Sequence, residues 1–284
     1  MNYSRRYFTL VAYVFAFTVS NLSAGYASDL AELLKSDAKA ESLDSFRFKE
    51  ADHGAVKAYR DDDSVFFVVP KDVSEITMPR LAAPLYTVGW LGAKRASSVI
   101  KFHPEQETWI LSWKGRPKAA QVLCVRLGAP PKLMKEASAI LPSGDGSFWI
   151  PGHLGKTAGE KIRYEPQTFK NTVGYWVGKN DNVTWTINAP LPGKFNVGIL
   201  QGCGKGQGGS VARLTCSGAT ASSSLDFEVK ETGHFQDFQW RHIGVLDIKE
   251  GGELELNIAP VEIAKNALMD IRMLVLTPVP MAKK

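Results

Sequence analysis

The stretch Glu253-Leu254-Glu255-Leu256-Asn257-Ile258 decides the fold. Leu254, Leu256 and Ile258 alternate with Glu253, Glu255 and Asn257. That is the period of a strand with one face buried and the other wet. The same kind of run recurs outward from it, in Val183-Thr184-Trp185-Thr186-Ile187 and in 194–200, 210–215, 224–229, 244–248 and 270–276. Counted with the runs near 162, about eight strands fall in this half, enough for a complete sandwich.

The first half reads the same way. Val65-Phe66-Phe67-Val68-Val69 stops at Pro70, and Thr108-Trp109-Ile110-Leu111-Ser112-Trp113 runs into the turn Lys114-Gly115-Arg116-Pro117. Residues 86–92, 98–102 and 121–127 complete the series. Short β-branched and aromatic runs between Gly/Pro turns indicate a sandwich or barrel. Gly128-Ala129-Pro130-Pro131 breaks the pattern, and 143–156 reads as turns with one short strand. The expectation is all-β: a small β-sandwich over 45–130, a connector over 131–161, and a second sandwich over 162–284. No alternation of strands and helices supports a Rossmann or α/β-barrel core.

The N-terminus reads as a targeting segment. Arg5 and Arg6 precede an apolar run from Tyr7 to Val19, and Gly25 and Ala27 are small. This is the pattern of a signal peptide over 1–27, too short to span a bilayer. It implies a periplasmic or secreted protein. Residues 28–44 read as a short helix or linker, with Asp29 as cap and Leu30, Leu33 and Leu34 on one face. Loss of Arg5 and Arg6 would lower the formal net charge of +5 by two, and the remaining charges are interspersed. Nucleic acid is therefore not implied as a partner. The chain has three cysteines, Cys124, Cys203 and Cys216, and an odd count leaves at least one thiol unpaired. A Cys203–Cys216 bridge would need a register that the glycine loop between them does not favour.

Several motifs in the second half carry a family likeness. Ile162-Arg163-Tyr164-Glu165, Val173-Gly174-Tyr175-Trp176 and Asp181-Asn182-Val183-Thr184-Trp185 lead into Pro192-Gly193-Lys194-Phe195. Gly202-Cys203-Gly204, Glu231-Thr232-Gly233-His234-Phe235 and Met269-Asp270-Ile271-Arg272 follow. Together they resemble carbohydrate-binding modules of families 6 and 35, with a galactose-binding-like jelly-roll. The narrower likeness is to the C-terminal sandwich of some bacterial α-L-fucosidases and sulfatase-like enzymes. It covers about 162–278.

That resemblance implies a glycan or polysaccharide ligand stacked on Tyr175, Trp176 and Phe235, with His234 beside them. It also implies a structural calcium held by Glu165 and Asp270, from the first and last strands. Two residues depart from the family pattern. Phe235 stands where a tryptophan is usual, and Leu268 stands where an asparagine is usual.

Catalytic signals are sparse. His53, His103, His153, His234 and His242 show no metal spacing, and no G-x-S-x-G elbow occurs. Gly204-x-Gly206-x-x-Gly209 matches the dinucleotide fingerprint only formally, because a strand-like segment follows where a helix is required. Asp61-Asp62-Asp63 reads as a solvated turn. The resulting expectation is an exported, non-catalytic carbohydrate-binding protein, accessory to glycan degradation. The alternative is a scaffold that docks an exported glycoside hydrolase or sulfatase without binding sugar, or a fucosidase-like accessory region without its barrel.

Overall fold

The computed structural model describes residues 30–31, 34, 40–93, 99–117 and 121–280. The expected signal peptide and most of the expected 28–44 helix or linker lie outside these residues. Of that stretch, Leu30, Ala31 and Leu34 are helical, and Ala40–Phe46 forms a 3-10 helix. The described chain is all-β, arranged as sandwiches of antiparallel sheets. No described helix is long and apolar enough to cross a membrane.

The first sandwich has seven strands among the described residues. One sheet runs β1 (Lys57–Asp61), β2 (Ser64–Val68), β7 (Val122–Leu127) and β4 (Leu85–Trp90). The facing sheet runs β3 (Glu75–Pro79), β6 (Thr108–Lys114) and β5 (Val99–Pro104). The Asp61–Asp63 run ends β1 and turns the chain into β2, with Asp62 at φ 48°. Alternation in β6 buries Trp109, Leu111 and Trp113, and Trp113 meets Trp90 edge-on at 5.3 Å between ring centroids. Strands β1 and β3 carry weaker apolar runs that the sequence reading passed over.

The second sandwich is a jelly-roll. One sheet runs β15 (Ser222–Glu228), β14 (Val211–Ser217), β17 (Gly252–Glu262), β12 (Asn182–Ala189) and β9 (Lys156–Ala158). The other runs β10 (Arg163–Glu165), β11 (Thr172–Gly174), β18 (Asp270–Pro278), β13 (Gly193–Gly202) and β16 (Gln239–Ile248), with β8 (Phe148–Pro151) also on β18. The segment expected as connector thus supplies two sheet strands, β8 and β9. In β17, Leu254, Leu256 and Ile258 face inward and meet Trp185 and Ile187 of β12 across the ladder.

All three cysteines are free. Cys203 lies just past β13, while Cys216 lies in β14 of the opposite sheet. Burial pushes both thiols up to about 11 and that of Cys124 to about 12, so none is poised as a nucleophile.

One buried arginine ties the sandwiches together. Arg80 follows β3 and is 3% exposed. Its guanidinium donates to the carbonyls of Gly155 (2.6 Å) and His153 (3.3 Å) and lies 5.1 Å from the Tyr164 ring centroid. No carboxylate pairs with it among the described residues, and burial lowers it to about 10. Nearby, Leu85 N–H donates to the Pro166 carbonyl and Gln106 to that of Ile162. Arg80→Ala strips the guanidinium's bonds to Gly155 and His153 and opens a void, so we expect a loss of about 2–4 kcal/mol. A lower urea midpoint at unchanged slope measures it. Arg80→Met keeps the volume without the buried charge and is expected to lose less.

Candidate functional site

The loops at one end of the jelly-roll carry the sequence-predicted aromatics but close over Trp176. Trp176 is fully buried, and its indole N–H donates to the Asp181 carbonyl at 2.9 Å. The Asp181 carboxylate in turn accepts from the backbone N–H groups of Glu160 (2.6 Å), Val177 (2.9 Å) and Gly178 (2.7 Å). This cage fixes the 175–181 loop, so the expected role of Trp176 as a stacking surface is corrected to a packing one. Leu268 is also fully buried. Its N–H donates to the Trp176 carbonyl at 2.8 Å, and its own carbonyl meets the Cys203 thiol at 3.8 Å. Cys203 N–H donates to Thr232 Oγ1 at 2.8 Å, closing the ring of loops.

Phe235 is half-buried on the glycine loop. A Cβ at Gly204 would lie 2.6 Å from its ring, so only glycine permits this approach. His234 is exposed, and its Nδ1 accepts from the Gln236 N–H at 3.0 Å. Tyr175 is 43% exposed and sits at φ 58°, a left-handed conformation that costs a non-glycine residue energy. The Arg163 guanidinium lies 3.5 Å from its ring centroid, so one face of Tyr175 is already occupied.

Glu165 and Asp270 come together at the edge formed by β10, β11 and β18, both nearly buried. Gly174 makes room: a Cβ there would lie 2.6 Å from Asp270 Oδ1. The Lys170 ammonium is ion-paired with Glu165. Arg272 donates to the carbonyls of Lys170 (2.7 Å) and Phe169 (3.0 Å) and stacks over Phe238 at 3.8 Å. Burial and the neighbouring Glu165 push the Asp270 carboxyl up to about 8, against the pull of Lys170 and Arg272. Among the described residues no group of three or more His, Cys, Asp or Glu could hold a metal ion. Calcium needs six to eight oxygens. Two acids facing an ammonium and a guanidinium do not fit that demand.

An exposed aromatic surface lies elsewhere, on the outer face of the β8–β18–β13–β16 sheet. Phe148 and Ile150 point into the core, so Trp149 between them points out and is 53% exposed. It pairs with Val275, which pairs with Gly198, which pairs with His242. One step along, Trp240 pairs with Leu200 and Leu200 with Met273. Trp240 is 51% exposed, and its ring leans over Gly198, 3.7 Å from where a Cβ would stand. A bulge between Val197 and Gly198, opposite Gly244 at φ 136°, lets Trp240 and His242 face out while Leu246 and Ile248 stay in the core. The two indoles are three strand spacings apart across the sheet, about 14 Å, and two residues apart along it, about 7 Å. Asn196, Thr277 and His242 supply polar groups on the same face. The sequence reading missed this pair. The alternation in 148–150 was the available signal for Trp149.

No protein-family model matches the chain, and no curated protein does. Solved structures do resemble it. An alpha-L-fucosidase from Vibrio sp. strain EJY3 is 12% identical over 78% of this chain and 39% of its own, at a TM-score of 0.33. The Cry4Aa toxin of Bacillus thuringiensis is 10% identical over 61% of this chain and 27% of its own, at 0.39. A CBM35 from Cellvibrio japonicus Abf62 is 14% identical over 47% of this chain and 94% of its own, at 0.36. This chain therefore spans two fifths or less of the fucosidase and toxin chains.

The buried acid has a pH signature. With its folded pKa raised from 3.8 to about 8, Asp270 keeps a proton between those values that the unfolded chain has lost. Its contribution to stability is present in full below about pH 4 and is lost as pH rises through about 8. Melting temperatures measured from pH 5 to pH 9 should fall for the wild type, and Asp270→Asn should flatten that fall.

Proposed function

We propose that this is an exported, non-catalytic saccharide-binding protein that accompanies glycan degradation. Its ligand lies across the outer face of the β8–β18–β13–β16 sheet. The observation that carries the reading is the pair of half-exposed indoles, Trp149 and Trp240, held on one face by the strand ladder. A sugar ring presents a flat C–H face that stacks on an indole, while its hydroxyls need polar partners. Asn196, Thr277 and His242 supply them here. Binding of this kind is shallow, with little buried area to offset the entropy lost on association. Export is supported by the Arg5-Arg6 and apolar N-terminal pattern. Non-catalytic action is supported by the sequence, which carries no G-x-S-x-G elbow and no metal-type spacing among its histidines.

A second reading keeps the same face and changes the partner. Val275, Met273 and Leu200 lie between the indoles and give the surface an apolar stripe suited to another exported protein, such as a glycoside hydrolase or sulfatase. A glycan-array screen of wild type, Trp149→Ala and Trp240→Ala separates the readings. Saccharide binding should weaken roughly 5- to 13-fold in each variant, the worth of one lost stacking contact of about 1–1.5 kcal/mol. A folded wild type that binds no glycan would sink the saccharide reading and leave the protein-docking one. Binding that survives both substitutions would place the site elsewhere.

A further inference from the structure

We propose that the Lys170 ammonium is the structural cation of the β10–β11–β18 edge, doing there what a bound divalent metal would otherwise do. Two nearly buried acids from the first and last strands of this edge, Glu165 and Asp270, lie on the same sheet face two ladder positions apart, close enough for each to feel the other. Such a pair cannot carry two like charges unaided: a proton on Asp270 removes one, and a cation beside Glu165 answers the other. The chain provides that charge itself. After β10 it makes a tight turn, with the N–H groups of Lys170 and Asn171 both donating to the Gln167 carbonyl, at 2.8 and 2.7 Å. Asn171 takes φ 44°, and its side chain accepts from the Tyr164 hydroxyl at 2.7 Å. The turn returns Lys170 to Glu165, with which it forms its ion pair, and places it as an attractive charge beside Asp270.

The backbone oxygens of this turn are also engaged. A divalent cation at a sheet edge draws several of its ligands from carbonyls. Here the Phe169 and Lys170 carbonyls accept from Arg272, which stands two residues beyond Asp270 on the same strand. The Glu165 carboxylate and the carbonyls of this turn thus already have cationic partners built into the chain. The clamp joins β10, the 166–171 turn and β18 through the side chains of Lys170 and Arg272. It operates whether or not the outer sheet face binds saccharide.

Thermal melts of the full chain, with calcium and with a chelator, test this. The wild type should shift by no more than about 1 °C between the two conditions, as expected when nothing binds the folded state. Lys170→Met should melt roughly 5 °C or more lower, because it leaves the buried Glu165 without its counter-charge. Added calcium should recover part of that loss. A wild-type melting temperature that falls on chelation overturns the proposal, as does a Lys170→Met variant as stable as wild type. If Lys170→Met does not fold, calorimetric titration of the wild type with calcium decides. Absence of binding heat upholds the proposal. Binding that Glu165→Gln abolishes overturns it.

Discussion

The last strand is hydrogen-bonded along both edges, and the jelly-roll depends on that double ladder. On one side β18 pairs with β13 from Asp270 to Pro278. On the other it pairs first with β11 at Ile271 and then with β8 from Met273 to Leu276. A strand in this position must satisfy backbone groups on both sides and bury one face, so its register has little freedom. That register sets everything of functional interest. It places Asp270 and Arg272 against the Lys170 turn, and it places Val275 between Trp149 and the Gly198 row.

The two ends of the argument about aromatics follow from where side chains can go. At the loop end, four segments converge, and their backbone groups must find partners away from water. They find them in one another, through the Trp176, Leu268, Cys203 and Thr232 bonds, and the apolar side chains fill the space that results. A leucine at 268 offers no polar group to a ligand and belongs inside. The outer sheet face is under no such demand. Its strands pair within the sheet without a covering layer, so indoles there remain half-exposed.

Much of the fold was legible because alternation is a local signal. The 253–258 run, the Trp109/Leu111/Trp113 series and the Trp185 strand all declare a buried face within a few residues. Strands β1, β3 and β9 did not, since each is short and only partly buried. The start of β16 was missed because Gln239-Trp240-Arg241-His242 looks polar, and only its pairing with β13 shows it to be a strand. The expected sites suffered from the same limit. Tyr175, Trp176, Phe235 and His234 do converge on one end, but whether a ring faces solvent depends on partners distant in sequence. Asp181 pins the loop beside Trp176, Leu268 hydrogen-bonds to it, and Gly204 admits Phe235. Lys170, the residue that answers Glu165, lies in a stretch with no motif at all.

Trp149 and Trp240 are the two indoles that face outward from one sheet. A titration of the labelled protein with cell-wall oligosaccharides, followed through the tryptophan indole N–H signals, addresses them one by one. The Trp149 and Trp240 signals should move together with a single affinity, while those of buried Trp109, Trp176 and Trp185 stay in place. An oligosaccharide that binds while leaving Trp149 and Trp240 unmoved, or that perturbs only the loop around Tyr175, would contradict it.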